Sequence, residues 1–115
     1  MNEEFDILKY TFNTLKVLDI PVFFSSKKEV APPLVLFNIT SEKGDMFWED
    51  EEQVTVFKIT VNIFARENYV GYKNKIIKLM KEAGFIRIDV PSCIYLEDID
   101  LYNQPINFKF YKELN

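Results

Sequence analysis

The stretch VTVFKITVNIFA, residues 54–65, carries the clearest structural signal in the chain. Its side chains alternate in character, so that an extended chain would place apolar groups on one face and polar groups on the other. The first face carries Phe57, Ile59, Val61, Ile63 and Ala65, and the second carries Lys58, Thr60 and Asn62. A period of two over about twelve residues, longer than the usual five or six, predicts a central β-strand.

The residues before this strand predict its partner. The stretch PPLVLFNITSEKGDMFWEDEEQVTVFKITVNIFA, residues 32–65, alternates on both sides of a single polar segment. We therefore predict strands at 34–41 and 54–65, joined by a loop into a long central hairpin.

Residues 44–52 at the end of this hairpin are called the acidic tip below. Three large apolar residues stand there directly before four consecutive carboxylates: Met46, Phe47, Trp48, Glu49, Asp50, Glu51 and Glu52. Residues 42–52 carry a local charge of −5, whereas the whole chain has a net charge of −4. The excess negative charge disfavours nucleic acid as a partner and favours a basic protein surface or solvent.

Two helices are predicted from apolar spacing. Residues 3–18 repeat apolar side chains at three- and four-residue steps, with acids in the first turn, where the helix dipole favours them. The expected buried face is Phe5, Leu8, Phe12 and Leu15, and the acids are Glu3, Glu4 and Asp6.

The second predicted helix covers residues 68–83, with Asn68 as the N-cap and Gly84 in a left-handed conformation after the end. Its expected apolar side is Tyr69, Tyr72, Ile76, Leu79, Met80 and Ala83. Its other side carries Lys75, Lys78 and Lys81, with Lys73 at the flank. This basic surface is either a solvated amphipathic face or a binding surface.

Shorter strands complete the layout. We predict strands at 22–25, at 84–90 before Pro91, and at 106–112, with a mixed segment of strand and turn at 91–105. The order is α-β-β-β-α-β-β, an α+β fold in which two helices pack on a mostly antiparallel sheet. With 115 residues, the chain is expected to form one domain over 1–115.

Several classes of function are disfavoured by composition. The chain has no histidine, which is the commonest general base, and its three isolated glycines do not form a phosphate-binding loop. The carboxylates lack the alternation of a calcium loop, and a glycosidase-like pair would need a cleft that no pattern indicates. We expect no catalysis, no cofactor, no metal and no role for the single Cys93.

Membrane insertion and export are not expected either. No apolar run approaches the ~20 residues that span a bilayer, and the N-terminal MNEEFD is acidic where a signal peptide is basic.

The C-terminal part, residues 83–113, reads AGFIRIDVPSCIYLEDIDLYNQPINFKFYKE. It resembles the tail-completion proteins (neck or tail-terminator proteins) of long-tailed bacteriophages and prophages, and the upstream pattern follows that family more loosely over nearly the whole chain. The matching positions are Gly84, Phe85, Arg87, Tyr95, Glu97, Asp98, Leu101, Tyr102, Phe108 and Tyr111. The chain departs from the pattern at Asp100, where the family has a small residue or Gly, and then at Asn103 and Gln104.

The resemblance implies a structural protein of the virion without catalysis. Such proteins form rings of identical subunits, commonly six-fold, that cap the tail tube and dock it to the head connector. The acidic tip would then pack on a neighbouring subunit or ring partner, with Phe47 and Trp48 as anchors and the carboxylates steering against Lys75, Lys78 or Lys81.

Other interpretations stay open at this point. The acidic tip could be solvated, or Phe47 and Trp48 could fold back onto their own sheet. The chain could also be a head-completion adaptor, or a small α+β domain that binds a ligand or works through carboxylates, which would require a concave pocket.

Overall fold

The computed structural model describes residues 5–25, 30–48 and 51–114, except for the side chains of Met46 and Phe47. Within those ranges the chain forms two helices and a six-stranded, mostly antiparallel sheet, which is the predicted α+β class and order. The elements are α1 (Ile7–Leu15), β1 (Val22–Phe24), β2 (Leu34–Trp48), β3 (Glu51–Ala65), α2 (Tyr69–Glu82), β4 (Ile86–Asp89), β5 (Ile94–Leu96) and β6 (Leu101–Glu113). A short 3₁₀ turn, Glu97–Ile99, links β5 to β6.

The sheet order is β1-β2-β3-β6-β4, and β5 also pairs with β6. β1 runs parallel to β2, and every other described pair is antiparallel. β3 lies between β2 and β6, so the strand with the clearest alternation is the central one. Along the other side of β6, β4 pairs with residues 107–109 and β5 pairs with residues 101–103.

Pro105 lies within β6, at the position left between β4 and β5. A proline nitrogen has no hydrogen to donate to a neighbouring strand. Neither β4 nor β5 pairs with Pro105, so no hydrogen bond is lost on that side. The neighbouring Gln104 side chain fills the interval, where its Nε2 donates to the carbonyl oxygens of Pro91 at 2.8 Å and Pro105 at 2.7 Å.

The predicted inner face of β3 is confirmed. Its members Phe57, Ile59, Val61, Ile63 and Ala65 are all buried. They meet buried side chains from both helices and the flanking strands in one core: Ile7, Leu15, Leu18, Val35, Phe37, Ile76, Met80, Phe85, Ile106 and Phe108. Both helices therefore cover the same face of the sheet.

Helix α1 is shorter than predicted, and one predicted core residue is wrong. Its described part begins after Asp6, whose Oδ1 accepts a hydrogen bond from the Lys9 backbone N–H at 3.1 Å; Glu3 and Glu4 lie outside the described residues. Phe12 is 41% exposed, whereas Thr11 is fully buried. The Thr11 hydroxyl donates to the Ile7 carbonyl oxygen at 2.7 Å, so its burial leaves no polar group unsatisfied.

Helix α2 begins and ends within a residue of its predicted limits. Ile76 and Met80 are fully buried, and Gly84 has φ +95°, as expected for the residue after the helix. Asn68 precedes the helix but does not cap it: its φ is +59° and its side chain makes no cap hydrogen bond. Its carboxamide instead lies against Gly71, where an added Cβ would be 2.6 Å from the Asn68 Oδ1.

The loop predicted between the two long strands is wrong over most of its length. Residues 42–48 belong to β2 and residues 51–53 to β3, and pairing continues to Trp48 opposite Glu51. Strand pairing uses the backbone N–H and carbonyl groups, which charged residues carry as any other residue does. Residues 49–50 lie outside the described part of the chain, so the hairpin closure stays a prediction.

The long strands give the described part of the molecule an elongated shape of 53 × 29 × 23 Å. Neither described helix is long and apolar enough to cross a membrane.

Candidate protein-interaction surfaces

The acidic tip presents one large apolar side chain to solvent. Trp48, at the end of β2, is 72% exposed, and its strand partner Glu51 is exposed as well. Glu52 is half-buried, and its Oε2 accepts a hydrogen bond from the Thr55 hydroxyl at 2.8 Å. Thus Asp45, Trp48 and Glu51 are the described tip residues that are exposed to a partner, and Trp48 is the apolar one.

The other predicted tip residues are less fully described. Met46 and Phe47 lie in β2 by their backbone, and their side chains fall outside the described set. Glu49 and Asp50 lie outside it altogether. Of the three predicted apolar residues, Trp48 is the one with a described side chain, and it is exposed.

The tip extends beyond the helical layer. β6 pairs with β3 as far as Glu113 opposite Val54, and Leu114 then donates its backbone N–H to the Gln53 carbonyl oxygen at 3.1 Å. The rings of Phe5, Phe57 and Phe110 pack together where the core ends. Glu51 lies six strand residues past Phe57, roughly 20 Å at the ordinary strand rise.

The three predicted lysines are all exposed on α2, but they do not face one common surface. Lys75 and Lys78 line an open groove together with two acids, Asp19 and Glu82. Lys81 lines a different cleft, on the other side of the helix end. The tip and the lysines thus occupy separate parts of the fold.

The cleft beside Lys81 was not predicted from the sequence. It has a volume of about 440 Å³, and its lining comes from α2, β4 and β6: Ile77, Lys81, Phe85, Ile86, Arg87 and Phe108. Phe85 and Phe108 are buried at its floor, whereas Ile86 is 46% exposed. The sequence names Arg87 through the family resemblance alone, without a role. The exposure of Ile86 and the edge position of β4 are properties of the folded chain, so no sequence signal indicates this cleft.

The residues that carry the family resemblance have definite places in the structure. Phe85, Leu101 and Phe108 are buried, and Arg87 is exposed. Asp100 has φ +50°, a left-handed conformation that Gly adopts freely and that Asp tolerates better than most residues. The departure at Asp100 therefore occurs where the backbone itself favours Gly.

A tyrosine cluster surrounds this turn. The Tyr95 hydroxyl donates to the Asp100 Oδ1 at 2.6 Å, and the Tyr102 ring packs against Tyr95 and Tyr69, with centroids 5.0 and 5.2 Å away. The hydrogen bond to the Asp100 carboxylate raises the pKa of Tyr95, and the electrostatic interaction with Cys93, together with a side-chain hydrogen bond to it, raises the pKa of Tyr69. Both phenols therefore remain protonated at neutral pH and act as hydrogen-bond donors.

Within the described ranges, the acidic and cysteine side chains form no group of three or more that could hold a metal ion. The chain matches no protein-family model and no curated protein.

Proposed function

We propose that this chain is a structural, non-enzymatic virion protein of the phage tail-completion type. It assembles head to tail into a ring that caps the tail tube and joins the tail to the head connector. The resemblance of residues 83–113 to that family supports the biological class. The observation that carries the mode of assembly is that an elongated body bears dissimilar exposed regions: an acidic tip with Trp48, and a helix α2 whose exposed lysines line two separate clefts.

A head-to-tail ring requires two different, complementary surfaces on each subunit. The charges meet this requirement, because residues 42–52 hold six carboxylates and one lysine, whereas Lys75, Lys78 and Lys81 are exposed on α2. Exposed aromatics anchor interfaces, and charges mainly set orientation and association rate. We propose the exposed Trp48 as an anchor and, from the sequence pattern, Phe47 as a second one, with the carboxylates steering.

The strands that carry the tip support its use as a docking arm. Beyond a register shift between Ile39 and Ser41, β2 and β3 pair from Ser41 opposite Lys58 to Trp48 opposite Glu51. We propose that residues 49–50 close them into the hairpin expected from the sequence. A paired two-stranded arm loses less conformational entropy on binding than an unpaired loop would. Such an arm can reach the adjacent subunit in a ring while each core remains intact.

The test is a tail-joining assay with the double variant Phe47→Ala/Trp48→Ala. We expect tails that lack functional necks and no ring in light scattering or electron microscopy. The matched control is Phe12→Ala, since Phe12 is another exposed aromatic but lies on α1. A double variant that assembles and joins tails like the wild type would remove the proposed docking role.

The genomic position of the reading frame gives an independent test of the biological class. We expect the gene to lie between the capsid or connector genes and the major tail-tube gene. A gene located far from any such cluster would contradict the phage assignment, whatever the chain does in solution.

A further inference from the structure

The cleft between α2, β4 and β6 combines an apolar floor with two cations. Phe85 and Phe108 lie at the floor, 3% and 1% exposed. Ile77 and Ile86 add apolar walls, and Lys81 and Arg87 complete the lining with exposed positive charges. This combination suits a ligand that presents an aromatic group next to carboxylates.

The chain itself carries such a group. Trp48 is 72% exposed and is paired across the strands with the exposed Glu51, within the segment that holds the excess negative charge. An indole ring can fill an apolar cleft and also stack under an arginine guanidinium, which adds cation–π attraction. The tip thus matches the cleft in both polarity and charge.

The tip cannot reach the cleft of its own subunit. Ile86 pairs with Lys109, which in turn pairs with Lys58 of β3, so the cleft lies level with Lys58 along the strands. Glu51 is seven residues beyond Lys58, roughly 23 Å away along a paired strand. Because β2 and β3 are hydrogen-bonded over this length, the contact must form between two copies.

We propose that this cleft receives Trp48 of a second copy of the chain, with Lys81 and Arg87 paired to the Glu51 carboxylate beside it. The proposal rests on the head-to-tail assembly proposed above and names its receptor site. The proposal also distinguishes Lys81 from the other two lysines of α2. Lys75 and Lys78 line a groove that also contains two acids, Asp19 and Glu82, whose negative charges offset theirs. Lys81 and Arg87 line a cleft whose described members include no acid.

The test uses two full-length chains, each with one half of the contact removed. The donor, Lys81→Glu/Arg87→Glu, keeps Trp48, and the acceptor, Trp48→Ala, keeps the cleft. The chain contains one Trp, so donor fluorescence reports its environment without background from the acceptor. Both sets of substitutions are at exposed positions, and circular dichroism checks that each variant is folded.

Titration of donor with acceptor should shift the Trp emission to the blue, raise its anisotropy and give a species of two chains that does not grow further. An acceptor that also carries Lys81→Glu/Arg87→Glu should bind at least about thirtyfold more weakly, the loss expected when an anchor contact is removed. The matched control acceptor, Trp48→Ala with Lys16→Glu/Lys58→Glu, has the same change of charge at two exposed lysines outside the cleft and should bind like the parent acceptor within a few-fold.

Two results would overturn the proposal: no change in Trp emission up to the solubility limit, or an equal change with the charge-reversed acceptor. The proposed function has a separate readout in tail joining. Tails that are joined normally by a Lys81→Glu/Arg87→Glu protein would contradict this contact and leave the tail-completion role standing. If donor and acceptor bind each other but the wild-type protein does not join tails, the tail-completion role is contradicted and the contact between Trp48 and the cleft stands.

Discussion

The hydroxyl of Tyr10 in α1 donates a hydrogen bond to the backbone carbonyl oxygen of Ala83, the C-cap residue directly after α2. The two residues are 73 positions apart in the chain, and this bond ties the helices together where both meet the sheet. The Tyr10 ring also packs against Phe5, Phe85 and Phe110. The carbonyl groups at the C-terminal end of a helix have no partner within the helix. The Tyr10 hydroxyl, held in an aromatic cluster, supplies a donor to one of them at the end of α2.

Replacement of Tyr10 by Phe keeps the ring contacts and removes this hydrogen bond. We expect the free energy of unfolding to fall by about 1 kcal/mol, the usual net value of one such bond. Urea denaturation followed by circular dichroism measures the change, with an unaltered dependence on urea concentration. Tyr111→Phe, at a 41% exposed position, is the control and should change stability by less than about 0.5 kcal/mol. Equal effects of the two variants would contradict a special role for the Tyr10 hydroxyl.

Two residues of α1 that both belong to the predicted apolar face should respond very differently to truncation. Leu15 is fully buried, whereas Phe12 is 41% exposed. Leu15→Ala should cost about 2–5 kcal/mol through lost burial and a residual cavity. Phe12→Ala should cost less than about 1 kcal/mol, although it removes more atoms. Thermal or urea denaturation of the pair decides this, and a larger loss at Phe12 would contradict the orientation of α1.

The backbone at Asp100 can be tested with two variants that both lack the carboxylate. Because the residue has φ +50°, Gly fits there without strain and Ala does not. We expect Asp100→Gly to be more stable than Asp100→Ala by about 1 kcal/mol. The comparison cancels the lost hydrogen bond from Tyr95, since both variants lose it. An Ala variant as stable as the Gly variant would show that the turn is not left-handed.

The Tyr95–Asp100 hydrogen bond should make stability depend on pH in the alkaline range. The bond raises the pKa of Tyr95 in the folded chain above its value in the unfolded chain, which is about 10. Its contribution is therefore complete below about pH 10 and is lost as the pH rises through the folded value. The urea midpoints of the wild type and Tyr95→Phe should differ by a constant amount near neutral pH and converge in alkaline buffer. A difference that persists unchanged above about pH 10.5 would argue against the bond.

Some of the candidate surfaces consist of residues that are neighbours in the sequence, and others consist of residues that are distant in it. The acidic tip and the α2 lysines were predictable because each is a run or a helical repeat of neighbouring residues. The cleft was not, because Lys81, Arg87 and Phe108 come from three different elements that only the fold brings together. The opposite charges that make Lys75 and Lys78 a poorer acceptor include Asp19, which is also distant in sequence.

The elements with a local signal could be predicted from the amino-acid sequence alone. The alternation of β3 fixed its buried face, the spacing of Ile76 and Met80 fixed the inner side of α2, and Gly84 marked the end of that helix. In each case the deciding property is the geometry of a single strand or helix, which repeats every two or every 3.6 residues.

The neighbours of each element, and the lengths of the long strands, became clear from the folded structure. β1 pairs in parallel with β2, β6 lies beside β3, and residues 42–48 continue β2 through a segment that reads as a loop. Likewise, α1 docks with Thr11 inward and Phe12 outward. The physical reason is that backbone N–H and carbonyl groups are the same in nearly every residue, so the sequence does not specify which strands pair. Strand pairing and the buried side of a helix both follow from the packing of distant segments around one core.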